Sequence, residues 1–166
     1  VMPREEMMEK FVISGVTSKD DEAKITIRDI PDRPGVASML FGELGKQKVY
    51  VNMIVQSTGK DGKASISFTV LKNDLKKALT ICEGLKATMG ATSIDYKENI
   101  AIVSAVGVGM LSSWGVAGRM FDVLFKHNIN IEMISTSEIG ISCVIDSMYT
   151  ELAVKAIHKE FIEVNE

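Results

Sequence analysis

The sequence predicts an α+β protein built from two copies of one βαββαβ unit, with antiparallel sheets and helices on one face. Two observations carry this prediction. The segment 35–57, GVASMLFGELGKQKVYVNMIVQS, returns 80 residues later at 115–137 as GVAGRMFDVLFKHNINIEMISTS. Within both copies, hydrophobic residues change between the spacing of strands and the spacing of helices in the same order.

The first copy contains all six elements of such a unit. Alternating apolar residues predict its strands, and apolar residues spaced three and four apart predict its helices. Asp61-Gly62 is a typical hairpin turn. The predicted elements are a strand at 24–30, a helix with its apolar face at 37–44, strands at 49–57 and 64–70, a helix face at 75–85 that ends near Gly90, and a strand at 91–97.

The second copy has only five elements of its own. They are a strand at 100–106, a helix at 117–127, strands at 129–136 and 140–146, and a helix at 149–162. The strand-like segment FVISGVTS at 11–18 has no place in the first copy, so we expect it to supply the missing strand of the second. The predicted domains are therefore 24–98, inserted, and 11–23 with 99–166, preceded by a linker at 1–10.

Composition excludes several classes of function. The chain has 166 residues, of which 46% are hydrophobic and 25% charged, with a net charge of −3. This charge offers no basic field for nucleic acid, and no apolar run approaches the ~20 residues of a membrane span. The sequence shows no nucleophile–base pair, and its two His and two Cys are too scattered to predict a metal site. The cysteines fit buried side chains of a cytoplasmic protein.

Two matched strand-to-helix loops are the candidate binding sites. They are IPDRPGVASML at 30–40 and GVGMLSSWGVA at 107–117. Pro34 and Gly35 impose a turn that leaves the first backbone N–H groups of the helix bare, as do the residues around Gly115, and such groups suit a carboxylate. Asp32 and Gln56 could meet an ammonium beside it. The alternative is a plain helix entry in which Asp32 is the capping residue.

The second strand of each unit lies at a sheet edge in this topology. Both predicted edges, VYVNMIVQS and NINIEMISTS, are largely apolar, and an exposed edge of this kind favours pairing with another edge. We therefore expect a homodimer that forms through the sheet edges.

The sequence from DRPGVASML to MIVQS, followed by NINIEMISTSEIGISCVID, resembles the paired ACT domains at the C-terminal end of aspartate kinases, a ferredoxin-like fold. ISTSEIGIS is the more specific motif. The resemblance implies a cytoplasmic regulatory module that binds lysine or threonine and gives feedback control of aspartate kinase, the first step of aspartate-family amino-acid biosynthesis. It implies no catalytic activity of its own, no cofactor, and a partner that is the kinase catalytic domain or an α subunit.

The resemblance also implies two effector sites. The first, of threonine type, comprises Asp32, Gly35, Val36, Ala37 and Gln56, with Asn130 and Ile131 reaching it across the interface. The second, of lysine type, comprises Met110, Ser113, Val116, Ala117, Glu132, Ser137, Glu138 and Asn52. Two other interpretations fit the sequence: an ACT sensor of a different amino acid, and a purely structural dimerisation module.

Overall fold

The computed structural model describes residues 13–59, 61–107 and 115–163. In chain order its strands and α-helices are β1 (Gly15–Lys19), β2 (Glu22–Pro31), α1 (Val36–Lys46), β3 (Val51–Thr58), β4 (Lys63–Leu71), α2 (Leu75–Met89), β5 (Ser93–Lys97), β6 (Ile100–Val106), α3 (Val116–Lys126), β7 (Met133–Ser137), β8 (Gly140–Asp146) and α4 (Thr150–His158). Short 3₁₀ turns precede α2 and α4, and a π-helical turn, Lys159–Glu163, follows α4. Within the described residues, no helix has both the length and the apolar character that crossing a bilayer requires.

The strands form two antiparallel four-stranded sheets, which confirms the predicted fold class. One sheet has the order β3-β4-β2-β5 and belongs to a compact unit at Asp21–Glu98, called here the inserted unit. The other has the order β1-β6-β8-β7 and belongs to the unit formed by the described residues up to Asp20 and those from Asn99 onward, called here the split unit.

Each unit buries its own core between the sheet and the two helices. In the inserted unit, alternate residues of β2, such as Ile25 and Ile27, face the buried side of α1 at Leu40 and Leu44. The split unit repeats this arrangement with β6 and α3. Each fully buried side chain of this size stabilises the folded state by ~1.5–3 kcal/mol relative to exposure. The spacing of the apolar residues therefore determines which face of each element is buried.

Strand β1 completes the sheet of the split unit. It pairs antiparallel with β6, from Gly15 opposite Val106 to Lys19 opposite Ile102. It thus takes the place beside β6 that β5 takes beside β2 in the inserted unit. The strand pairing is seen directly, whereas the exact domain boundaries expected from the sequence stay a prediction.

Both edge strands begin later than predicted, because the residues before them end the preceding helix. Lys48 and Asn128 adopt left-handed backbone angles, with φ of 62° and 56°. The next amide then turns back to the helix instead of joining the sheet. These bonds run from Val49 N–H to the carbonyl of Leu44 (2.9 Å) and from Ile129 N–H to the carbonyl of Leu124 (2.9 Å). The edge β7 is consequently only five residues long.

Strand register defines which positions of the two units are equivalent. Phe68 lies opposite Ile54, and Cys143 lies opposite Ile134. Since Ile54 and Ile134 are 80 residues apart, Phe68 and Cys143 are the equivalent pair, at an offset of 75. Beyond the hairpin, the two copies therefore match at an offset of 75 instead of 80 residues.

Candidate functional site

The starts of α1 and α3 have the same unusual geometry. Their N-cap residues are Gly35 and Gly115, with φ of 95° and 81°, and among the described residues no capping side chain accepts a hydrogen bond from either helix start. The first helical bonds are made by the amides of Met39 (3.0 Å) and Arg119 (2.9 Å) to the carbonyls of these glycines. The alternative in which Asp32 caps the helix is therefore wrong.

The amides that precede those first bonds point out of the helix starts without an intrahelical acceptor. In α1 they belong to Val36, Ala37 and Ser38, and in α3 to Val116 and the two residues after it. The positive end of the helix dipole adds to their attraction for an anion, by ~0.3–1 kcal/mol at an exposed site. Each unit thus presents the geometry of a carboxylate site.

Glycine is required at both N-caps by backbone conformation and not by space. A Cβ atom placed on Gly35 or Gly115 would meet no atom within 4 Å. A left-handed φ, however, costs other residues ~1–2 kcal/mol. The glycines therefore hold the left-handed turn that leads into each helix.

Three contacts hold the loop between β2 and α1. The guanidinium of Arg33 donates through Nη2 to the carbonyl of Thr88, near the end of α2 (2.7 Å). The amide of Asp32 donates to the carbonyl of Gly62 in the β3–β4 hairpin (2.9 Å). Pro31 packs so closely on Gly90 that a Cβ there would lie 3.0 Å from the ring. The loop is thus anchored by these three residues, while the side chain of Asp32 is exposed.

In the inserted unit, the fold brings most of the predicted first site to one end of the sheet. Ala64 lies opposite both Ile30 and Thr58, so the ends of β2 and β3 flank β4 at the same end of the sheet. Asp32 and the start of α1 follow Ile30, and Gln56 precedes Thr58 by two residues. Asn52 lies at the opposite end of β3, away from this helix start.

The split unit repeats this division. Ser137 lies opposite Gly140 in the β7–β8 hairpin, and Gly107 donates to the carbonyl of Ile139 (2.8 Å). The hairpin with Ser137 and the exposed Glu138 therefore lies beside the end of β6. The residues that precede β7 lie at the other end of the sheet; they are Asn130, Ile131 and Glu132. Met110 and Ser113 lie outside the described residues.

One polar contact was not predicted from the sequence. Glu22 opens β2 with only 1% of its surface exposed, and the Nδ2 atom of Asn52 donates to both of its carboxylate oxygens (3.2 and 2.9 Å). The neighbouring pair Asp20-Asp21 is exposed. The alternation of β2 places Glu22 on the face of Lys24 and Thr26, opposite to the apolar residues, so it gives no signal for this burial.

The described residues offer little chemistry for catalysis or metal binding. They contain no group of three His, Cys, Asp or Glu side chains that could hold a metal ion. Both cysteines are buried and unpaired, and burial raises the pKa of the Cys82 and Cys143 thiols to about 12. Thiols of this kind are poor nucleophiles at neutral pH.

Known proteins are similar to this chain in sequence and in fold. The sequence model of the ACT domain matches residues 26–84 and 103–161. An aspartate kinase of Stutzerimonas stutzeri (strain A1501) is 51% identical over 160 residues, which is 96% of this chain and 39% of that protein. The chain thus spans about two-fifths of the length of this relative.

Two solved structures match over nearly their whole length. A crystal structure of aspartokinase alpha and beta subunits is 42% identical, covering 90% of this chain and 98% of that one, with a TM-score of 0.85. The ligand-free regulatory subunit of aspartate kinase from Thermus thermophilus is 37% identical, covering 90% and 99%, with a TM-score of 0.85. The chain therefore belongs to the ACT domain family, as the tandem regulatory domains of an aspartate kinase.

Proposed function

We propose that the chain binds lysine, threonine or both, and that this binding gives feedback control of an aspartate kinase. The observation that carries the proposal is the matched pair of helix starts, each with a left-handed glycine N-cap, which has no side chain of its own to cap the helix. A free amino acid has the carboxylate that such a helix start favours. The kinase that is controlled in this way would catalyse the first step in the biosynthesis of the amino acids that inhibit it.

The residues around each helix start suit the rest of an amino acid. In the inserted unit, Asp32 and Gln56 lie at the same end of the sheet as the bare amides and would meet the α-ammonium or a hydroxyl. In the split unit, Glu138 in the neighbouring hairpin is the corresponding carboxylate. A lysine side chain would additionally need an anionic partner, and Glu132 is the candidate from the predicted second site.

Pairing of two copies through the edge strands would complete the sites. Asn52, Asn130, Ile131 and Glu132 lie at the end of their own sheet that is remote from its helix start, so they would serve a site only across an interface. The edges also carry exposed apolar side chains, since Ile54 is 53% exposed and Ile134 is 42% exposed. An unpaired edge of this kind favours association with another strand.

Sedimentation velocity tests this pairing. Ile54→Lys and Ile134→Lys should convert a dimer into a monomer, because each places a charge on an edge strand. Tyr96→Lys is the matched control, since it replaces an equally exposed apolar residue on β5, at the other edge of the inserted sheet. A dimer that survives both edge substitutions would contradict the proposal.

Control of the kinase follows from linkage. An effector that binds one arrangement of the paired domains more tightly shifts the population toward that arrangement. A tenfold difference in affinity contributes ~1.4 kcal/mol to the shift. In the holoenzyme, the catalytic domain or α subunit would respond to the arrangement, and lysine or threonine would lower the rate of aspartate phosphorylation.

Calorimetry on the chain tests effector binding directly. We expect saturable heat from lysine, threonine or both, and its loss in Asp32→Ala for the first site or Glu138→Ala for the second. Asp95→Ala is the control, because this exposed carboxylate on β5 pairs with the exposed Arg28 (2.8 Å). If no proteinogenic amino acid gives heat, the chain is a structural dimerisation module instead.

A further inference from the structure

The contact between Glu22 and Asn52 fixes the orientation of an exposed amide. Glu22 is almost fully buried at the start of β2, whereas Asn52 is exposed on the edge strand β3. The Nδ2 atom of Asn52 lies 3.2 Å from one carboxylate oxygen of Glu22 and 2.9 Å from the other. Both carboxylate oxygens accept from this nitrogen, so the NH₂ group of Asn52 faces Glu22. The carbonyl oxygen, Oδ1, consequently points away from Glu22.

A β-bulge places Asn52 where this orientation matters. Val51 lies opposite Val70 and Ile54 lies opposite Phe68, so Asn52 and Met53 together face one residue of β4. That residue is Thr69, whose Oγ1 accepts from the amide of Met53 (3.1 Å). Bulges of this kind redirect a side chain from the regular pleat. Here the redirected side chain is the one that Glu22 holds.

The split unit differs from the inserted unit at both of these positions. Leu71 and Asp146 occupy equivalent positions and lie opposite Glu22 and Ile100, respectively. The buried carboxylate of the inserted unit is therefore replaced by an isoleucine. Glu132 stands at the position of Asn52, so the carboxylate is carried by the edge segment itself. In both units the residue before the buried methionine of the edge strand carries a side-chain oxygen acceptor.

We propose that Glu22 is a positioning residue, which turns Asn52 so that its Oδ1 accepts a hydrogen bond from an ammonium group of an amino-acid effector. This inference rests on the proposed function and adds a specific role for a buried residue that contacts no effector. The ammonium is either the α-ammonium, which every amino acid has, or the ε-ammonium of lysine.

Calorimetry with lysine and with threonine tests the effect on binding. Glu22→Gln keeps the shape of the side chain but lets the amide of Asn52 turn over, because glutamine both donates and accepts. We expect affinity to fall about three- to tenfold, the effect of one hydrogen bond. A fall for both amino acids identifies the α-ammonium, and a fall for lysine alone places Asn52 at the second, lysine-type site. Asn52→Ala, which leaves Glu22 in place, should weaken binding to a similar extent.

Glu43→Gln is the matched control. Glu43 accepts from the side-chain amide of Gln47 (3.0 Å), so the control makes the same substitution in a similar contact of the same unit, on helix α1. Its affinity should stay within about twofold of the wild type. Wild-type affinity in both Glu22→Gln and Asn52→Ala would overturn the proposal.

A spectroscopic measurement separates this inference from the proposed function. In a ¹H–¹⁵N spectrum, the side-chain NH₂ signals of Asn52 should lie away from those of free amides in the wild type and return toward them in Glu22→Gln. If no amino acid binds the wild-type chain, the proposed function fails, and these signals alone decide the positioning role. Signals that are unchanged by Glu22→Gln would overturn it.

Discussion

The inserted unit carries Phe68 where the split unit carries Cys143, and both side chains are fully buried. Phe68 packs edge to face against Phe41, with ring centroids 5.4 Å apart. At the position of Phe41 the split unit also has a phenylalanine, Phe121, but no ring lies opposite it on β8. The same arrangement of strands and helices therefore accommodates two different sets of core side chains.

The helical faces of the two units differ as clearly as their cores. In the inserted unit, a groove between α1 and α2 is lined mainly by polar side chains, among them Asn73 and Lys77. The equivalent positions in the split unit are Met148 and Leu152, which are exposed. Phe125, at the end of α3, is 77% exposed. The two units thus share helix starts that suit the same ligand group, but present different surfaces elsewhere.

The largest expected effect comes from exchanging the core residues for alanine. Phe68→Ala should lower the free energy of unfolding by ~3–5 kcal/mol, because it leaves a large cavity and removes the contact with Phe41. Cys143→Ala, at the equivalent position, removes one small group and should cost ~1 kcal/mol. Urea denaturation followed by far-UV circular dichroism measures both. Equal losses of unfolding free energy in the two variants would contradict this difference between the two cores.

The helix starts should respond equally in the two units. Gly35→Ala and Gly115→Ala should each cost ~1–2 kcal/mol, because alanine is strained at a left-handed φ. Gly42→Ala is the control, since Gly42 lies inside α1 with open space around its Cα, and alanine there should stabilise by ~0.5–1 kcal/mol. Thermal denaturation distinguishes the signs. Stabilisation by Gly35→Ala or Gly115→Ala would contradict the assigned turn.

Matched hydroxyl pairs between central strands give a smaller effect. Thr26 and Ser67 lie 3.0 Å apart in the inserted unit, and Ser104 and Ser142 lie 2.7 Å apart in the split unit. Ser67→Ala and Ser142→Ala should each cost ~1 kcal/mol. Replacing both members of a pair should cost less than the sum of the single losses, which a double-mutant cycle measures. Simple additivity in both units would show that the hydroxyls do not interact.

The two cysteines should be unreactive in both units at neutral pH. With their pKa raised to about 12, Cys82 and Cys143 should react with a thiol reagent only on unfolding. Thiols of the unfolded chain ionise nearer pH ~8.5, so these groups should reduce stability as the pH rises from there toward 12. An exposed cysteine introduced by Ser57→Cys is the positive control. Rapid labelling of the native wild type would contradict the burial of both thiols.

The periodicity of apolar residues predicted the order of strands and helices, because each element buries one face. The order of elements, the edge position of β3 and β7 and the matched helix starts all follow from apolar spacing and the repeat. The starts of β3 and β7 were predicted too early. Lys48 and Asn128 end the preceding helices in a left-handed conformation, which a lysine in the sequence does not indicate.

The polar part of the candidate site was only partly predictable. A proline-glycine turn implies bare amides at a helix start. The contact of the buried Glu22, in contrast, depends on which strand residue faces Asn52. That pairing arises from a bulge, and a bulge shifts register without a distinctive residue. A charge next to Asp20 and Asp21 is therefore read as solvated until the fold is known.

The central claim is that the helix starts of both units receive the carboxylate of a regulatory amino acid. Titration of the ¹⁵N-labelled chain with lysine and with threonine tests it most directly. We predict saturable shifts of the backbone amides of Val36 and Ala37, of Val116 and Ala117, or of both pairs. Gly35→Ala or Gly115→Ala should weaken the response of its own unit. Backbone amides at both helix starts that stay unmoved by saturating lysine and threonine would contradict the claim.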